Sequence, residues 1–439
     1  MADIEGLQKF SELQERDEAM FFTGRIAYIT HIQQAYKNAV TKQQANQPIT
    51  SATRLFYGAP GAGKTSLLNE IEKRARRGDF GTPPPHVISA SNATLNKEKE
   101  LVLTIAEHLE MDGVFRTIAQ EQVGMGASIL SILKGSIQTS QTLNPPEATF
   151  RHLKALYRAL EYQPPILLCV DEIQNIKPTA DEMLGVLHQG NHGLPIIPVY
   201  AGLGNSLNIL MNYGVSRPVS DYIHSVGALA NDEAQECVST MLKAFNVDCT
   251  DVKEDWPSII SKWSDCWPQH LHNGMRALAK ELICPDVNGV LRKVSFTNVS
   301  KRERTFRNKA SSWRISEMIS ECRILVGHIM HRIVTSSPTR LEAKQIIDDL
   351  HSHTPHKMPP EMTATQFLNH LIHRGLLQEF NQHDDPHLSP TGVVTCPIPS
   401  LATYVMQVGG IDPESQKDLQ PSGLSEPSPF KDTDAYKIS

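Results

Sequence analysis

The chain has 439 residues, 40% hydrophobic and 21% charged, with a formal net charge of −6. That length allows two or three domains with buried cores, and the acidic balance excludes a large positive field over the whole surface. No apolar run approaches the roughly 20 residues needed to cross a bilayer, so no membrane partner is expected.

Met1-Ala2-Asp3-Ile4-Glu5 has no basic segment leading into an apolar one, so a secretory signal is not expected. Seven cysteines, an odd count without a CxxC pair, read as free thiols in a reducing cytoplasm. Residues 1–50 read as an amphipathic helical segment, broken at Phe22-Thr23-Gly24-Arg25. Over 51–229 short apolar runs alternate with helical stretches. Leu55–Tyr57, Val87–Ala90, Ile166–Val170, Ile196–Tyr200 and Ile223–Val226 are predicted strands, and Thr65–Arg77 and Leu95–Leu109 are predicted helices. This alternation implies βαβ units and a parallel sheet covered on both faces, a three-layer α/β fold.

Residues 230–290 are helical only, starting at Asn231-Asp232-Glu233 with acids in the first turn. Residues 291–335 read as a basic linker helix: from Arg292 to Arg314 there are eight basic residues against one acid, Glu303. Over 336–408 two short helices precede apolar alternation at Leu376–Phe380 and Val393–Cys396, the order of a winged helix-turn-helix. The segment 409–439, rich in Pro, Ser, Asp and Lys, is expected to be disordered.

Gly58-Ala59-Pro60-Gly61-Ala62-Gly63-Lys64-Thr65 fits G-x-x-x-x-G-K-[ST] in full, between a predicted strand and a predicted helix, with Ser66 following. Such a loop turns its N–H groups inward around the phosphates of ATP. Lys64 reaches the β- and γ-phosphates, Thr65 offers its hydroxyl to Mg²⁺, and the following helix points its positive end at the anion. The apolar strand Ile166–Val170 ends in Asp171-Glu172, where strand ends of a parallel sheet line the ligand crevice. Asp171 then serves the metal and Glu172 the attacking water, which separates hydrolysis from binding alone.

On these residues the chain resembles an AAA+ ATPase. It is most similar to the initiator-type branch that includes origin-recognition proteins, and to bacterial transposition ATPases of the TniB, MuB and TnsC kind. The resemblance runs from about Phe22 to Met406 and implies an ATPase core, a helical lid and a winged helix. Phe22-Thr23-Gly24-Arg25 resembles the F-x-G-R box, which implies that Phe22, Gly24 and Arg25 line an adenine pocket. The predicted strand Ile196–Tyr200 resembles sensor 1; Asn205 is the chosen polar residue, with Tyr200 and Ser206 as other candidates. Gly214-Val215-Ser216-Arg217 resembles the arginine-finger region, which implies that Arg217 serves a neighbouring subunit and that hydrolysis needs a homo-oligomer. Cys266-Trp267-Pro268-Gln269 stands where sensor 2 would place an arginine, so Gln269 offers a neutral amide, with Arg276 on the same helical face. Residues 113–146 form an insertion; in related ATPases insertions here line a DNA channel, and an idle loop is the equal alternative.

The basic run and the winged-helix pattern together imply contact with duplex DNA. Lys301, Arg304 and Arg307 would track phosphates, and a recognition helix over Glu361–Gly375 would present Thr363, Gln366, Asn369, His370 and His373 to bases. The alternative is a nucleotide-switch ATPase with little turnover, in which the terminal winged helix clamps the core. His351, His353, His356, His370 and His373 cluster in the sequence but complete no zinc ligand set, and read as solvated side chains.

Overall fold

The computed structural model describes residues 3–13, 21–47, 52–90, 98–111, 163–176, 181–189, 193–204, 206–212, 220–247, 255–283, 320–336, 340–353, 362–380 and 392–398, with single residues between them. The insertion 113–146, the basic run Arg292–Arg314, Asn205, Arg217 and the C-terminal 409–439 lie outside the described residues.

Five parallel strands form the centre: β1 (Arg54–Tyr57), β2 (His86–Ala90), β3 (Ile166–Val170), β4 (Ile196–Gly202) and β5 (Ile223–Ser225), in the order β2-β3-β4-β1-β5. Strand β3 is buried along its whole length, so Ile-Leu-Leu-Cys-Val reads as a continuous apolar run rather than an alternation. Its side chains divide by parity. Leu167 and Cys169 enter one core, with Phe56 and Val199, while Ile166, Leu168 and Val170 enter the other, with Leu55 and Tyr200. Helices α2 (Ile26–Gln44) and α3 (Lys64–Arg76) cover the first face; α4 (Glu98–Met111), α5 (Asp181–Gln189) and α6 (Ser206–Asn212) cover the second. Truncating a central residue such as Leu168 to Ala costs about 2–5 kcal/mol by the usual cavity rule.

Strand β4 runs two residues past the predicted end at Tyr200, because Ala201 and Gly202 pair with Phe56 and Tyr57. The C-terminal ends of β1, β3, β4 and β5 therefore arrive at one edge.

A helical lid follows: α7 (Asn231–Ala244), α8 (Trp256–Trp263) and α9 (Pro268–Leu282). The start at Asn231 matches the sequence reading, with the Glu233 carboxylate accepting from Ala230 N–H at 3.0 Å. The first fifty residues are not one unit. Helix α1 (Ile4–Glu12) inserts Leu7 and Phe10 into the lid core, and Asp3 N–H donates to Phe245 O at 2.8 Å, whereas α2 belongs to the sheet. None of the described helices is long and apolar enough to cross a membrane.

The C-terminal region comprises α10 (Ser320–Thr335), β6 (Leu341–Glu342), α11 (Ala343–His353), α12 (Ala364–His373), β7 (Gln378–Phe380) and β8 (Val393–Thr395). The three strands pair antiparallel in the order β6-β8-β7, and β6 was not expected from the sequence because a two-residue strand has no periodicity to read. Thr363 caps α12 and Gln366 returns its amide oxygen to Thr363 N–H at 2.8 Å. These two side chains, predicted to face bases, are engaged in a capping box. Asn369 stays exposed on the same helix.

Between α2 and β5 lies an aromatic group of His31, His224, Tyr28, Tyr222 and Phe56, in which His224 stacks on Phe56 at 5.6 Å. Burial lowers the His224 pKa to about 4, with His31 adding to the effect and Asp221 opposing it. Burial also lowers His31, with Arg54 adding. At His224 the unfolded chain binds a proton near 6.5 and the folded chain only near 4, so this contribution is present above pH 6.5 and lost as pH falls toward 4. Melting curves between pH 7 and 4 should show a smaller fall in melting temperature for His224→Phe than for the wild type.

Candidate functional site

The phosphate loop leaves β1 at Tyr57 and enters α3 at Lys64, as the motif requires. Lys64 Nζ folds over the loop and donates to the carbonyls of Gly58 (3.0 Å) and Ala59 (2.9 Å). At the second residue of the helix, Thr65 Oγ1 donates to Asp171 Oδ2 at 2.5 Å. Residues 106 apart in sequence thus meet at the edge where β1 and β3 end. The other Asp171 oxygen accepts from Glu172 N–H at 2.7 Å. Asp171 is bound on both sides, Oδ2 by Thr65 at the helix start and Oδ1 by the Glu172 peptide.

Glu172 adopts left-handed backbone angles (φ 51°, ψ 42°) at the start of a 3₁₀ turn, Ile173–Asn175. A non-glycine residue in this region is uncommon and concentrates where neighbours over-determine the chain. Here Ile173 and Ile176 are buried in the second core, and the Gln174 amide oxygen accepts from Leu203 N–H at 3.0 Å. Asn175 Nδ2 donates to Glu172 Oε2 at 3.0 Å.

Arg25 ties this loop to its surroundings. Its guanidinium donates to the carbonyls of Ala62 (3.1 Å) in the phosphate loop and Gly227 (2.5 Å) beyond β5. Its backbone N–H donates to Glu233 Oε1 at 2.9 Å, and Thr23 Oγ1 donates to Glu233 O at 2.9 Å. Burial lowers the pKa of the guanidinium, and nearby Tyr28 and Glu233 oppose that. The predicted adenine-pocket box therefore also acts as a strut between phosphate loop, sheet and lid; Phe22 packs against the first core.

The turn read from the sequence as sensor 2 meets the phosphate loop. Gln269 N–H donates to Gly61 O at 3.1 Å. Gly61 has φ +83°, and a Cβ there would fall 2.4 Å from Gln269 Oε1 and 3.0 Å from Trp267 Nε1. Only glycine lets the lid approach so closely. Trp267 is buried in the core shared with Ala59 and Ala62, a contact the sequence reading did not assign. Arg276 lies half-buried on α9, and the contacts that reach Gly61 come from Trp267 and Gln269.

Of the residues read from the sequence as sensor 1, Tyr200 and Ser206 lie among the described residues. Tyr200 is fully buried in the second core, where burial raises its phenol pKa, so it is not at the site. Ser206 is also buried, beside Gly202 and Gln174. Gln174 is the polar side chain that holds the loop after β4. Its motif neighbours gave no sign of this, because the contact spans 29 residues.

The C-terminal region reaches the same edge. Gly375, with φ +70°, packs so closely that a Cβ would lie 2.5 Å from Pro60 Cδ and 3.3 Å from Leu203 Cδ2. Gln378 is buried against Gly204, and its Nε2 lies 3.5 Å from Ser225 Oγ.

Residues 53–200 match a family model described as an AAA domain. No curated protein sequence matches the chain. Among solved structures the chain is similar to a Walker-type ATPase of Pyrococcus abyssi, at 15% identity over 90% of this chain and 99% of that one, with a TM-score of 0.54. It is also similar to the ORC2 protein of Aeropyrum pernix in its ADP form, at 14% identity over 92% and 97%, with a TM-score of 0.53. The same protein in ADPNP–ADP complexes matches at 13% identity over 94% and 98%, with a TM-score of 0.51.

Gly61→Ala should separate the sensor-2 turn from the phosphate loop. Affinity for a fluorescent ATP analogue should fall about tenfold, roughly 1.4 kcal/mol, with a change in tryptophan emission from Trp267. The fold is that of a P-loop α/β core, and its residues 53–200 are the part that resembles an AAA domain.

Proposed function

We propose that this protein binds and hydrolyses ATP, releasing ADP and phosphate, and that it works as a homo-oligomer on duplex DNA. The observation that carries the ATPase reading is the meeting of Thr65 and Asp171 at 2.5 Å, with Glu172 one residue further on. A hydroxyl and a carboxylate are hard oxygen donors, and Mg²⁺ takes few protein ligands beside phosphate and water, so the pair fits that ion. Thr65 and Asp171 would hold it. When bound it supplies charge neutralisation to the phosphates.

The residues of this chain divide the remaining work. Lys64 would exchange the carbonyls of Gly58 and Ala59 for β- and γ-phosphate oxygens, while the N–H groups of Gly61, Gly63, Lys64, Thr65 and Ser66, in the loop and at the helix start, cradle the chain of phosphates. Glu172 would take a proton from the water that attacks the γ-phosphate. Gln269 would donate to a phosphate oxygen without adding charge. Asn205 would help to orient the water, and Arg217 would reach the phosphate held by the next subunit. Arg292–Arg314 would track the DNA backbone, with Asn369, His370 and His373 at the groove. Cys169 and Cys237 are buried free thiols among the described residues, and this reading takes a reducing cytoplasm as the setting.

A second reading, a nucleotide switch with little turnover, draws support from Gly375 and Gln378 against the phosphate-loop edge. In that reading the C-terminal region, read as a winged helix, clamps the core. Gln378→Ala should loosen the contact. A rise in turnover of several-fold favours the switch, and an unchanged rate favours the oligomeric ATPase.

Glu172→Gln should bind ATP with unchanged affinity and lose at least 100-fold in turnover, measured by phosphate release. Turnover equal to wild type would remove Glu172 from the reaction. Binding to duplex DNA should weaken with salt and be lost when Lys301, Arg302, Arg304 and Arg307 are neutralised together. Absence of binding at low salt with ATP present would leave the switch as the better reading.

A further inference from the structure

We propose that Asn175 is a positioning residue that aims the Glu172 carboxylate at the attacking water; this rests on the hydrolysis reading above. Glu172 and Asn175 are both exposed. An unheld glutamate there would sample several rotamers, and a base is effective only when its oxygen lies within hydrogen-bond reach of the proton it accepts.

The structure restricts Glu172 in two steps. First, the backbone is fixed. Its left-handed conformation is closed by Asn175 N–H donating to Glu172 O at 2.9 Å and by Ile176 N–H donating to Ile173 O at 3.1 Å. Ile173 and Ile176 anchor the turn below, and Gln174 anchors it laterally to Leu203 beyond β4. Second, the side chain is directed by the amide at the end of the same turn, which donates from Nδ2 to Oε2 at 3.0 Å. The bond pairs a neutral donor with an ionised acceptor, a stronger and more directional arrangement than one between neutral groups. A helical turn brings positions 172 and 175 onto one side, so the amide has the reach that its neighbours Ile173 and Gln174 lack.

The step keeps its balance. Water loses a proton to Glu172 as its oxygen bonds to the γ-phosphorus, and the bond to the ADP oxygen breaks. With Oε2 engaged by Asn175, Oε1 accepts the proton. Asn175 acts through Glu172 and takes no proton itself.

The test uses the full-length protein with ATP, Asn175→Ala, and Asn175→Asp, which keeps the shape and removes the donor. Both should lower kcat at least tenfold while KM and the affinity for ATP stay within twofold. In a Glu172→Gln background the same substitutions should cause no further loss of the residual rate, because there is no longer a base to position. A kcat within twofold of wild type in Asn175→Asp overturns the proposal. So does a parallel loss of ATP affinity or melting temperature, or an additive loss in the Glu172→Gln background. Failure of the underlying reading looks different: wild type without turnover, or Glu172→Gln as active as wild type.

Discussion

A hydrogen bond from Thr65 to Asp171 joins the two halves of the nucleotide site. It exists because β1 and β3 are parallel members of one sheet, so the loops that leave them arrive at the same edge. Strand β4 lies between them, and its burial on both faces fixes the spacing of the two loops. Most of the site's other geometry follows from this alignment. Asp171 is held on one side by the helix start and on the other by the peptide of Glu172.

Around that bond the chain converges from distant segments. Arg25, near the start of the chain, holds a carbonyl of the phosphate loop and one beyond β5. Glu233, at the start of the lid, holds the backbone of Arg25. Gln269, at the start of the last lid helix, holds Gly61. The phosphate loop is thus connected to the lid through Gly61 directly and through Arg25 indirectly. A ligand that moves the loop acts on both connections at once. The shared burial of Trp267 with Ala59 and Ala62 makes the lid contact apolar as well as hydrogen-bonded.

The contact of Gly375 with Pro60 extends the same logic to the C-terminal region. A turn in that region rests on the residue that precedes Gly61, and Gln378 rests on the loop that follows β4. The C-terminal region and the phosphate loop therefore share one edge of the sheet. Whether the protein works as a DNA-bound oligomer or as a switch, this is the place where nucleotide and C-terminal region can influence each other.

The sequence by itself determined the elements whose signals are local. The glycine loop, the apolar strand ending in Asp171-Glu172 and the helix start at Asn231 need only short stretches to be read, and each was found where it was expected. The parallel sheet followed from the alternation of strands and helices, since parallel neighbours need a long crossover between them. Only the tertiary structure decided the partners. Gln174 holds Leu203, Arg25 holds Ala62 and Gly227, and Gly375 meets Pro60 across 315 positions; no periodicity or spacing encodes such pairs. Tertiary burial also removed Tyr200 from the site, because two more residues of β4 found partners on β1. Likewise Thr363 and Gln366 were taken up by the helix cap, since the unpaired N–H groups of a helix start compete for any polar side chain within reach. Local chemistry is written in neighbouring residues, whereas the positions of side chains far apart in sequence are set by how the sheet and its covering helices pack.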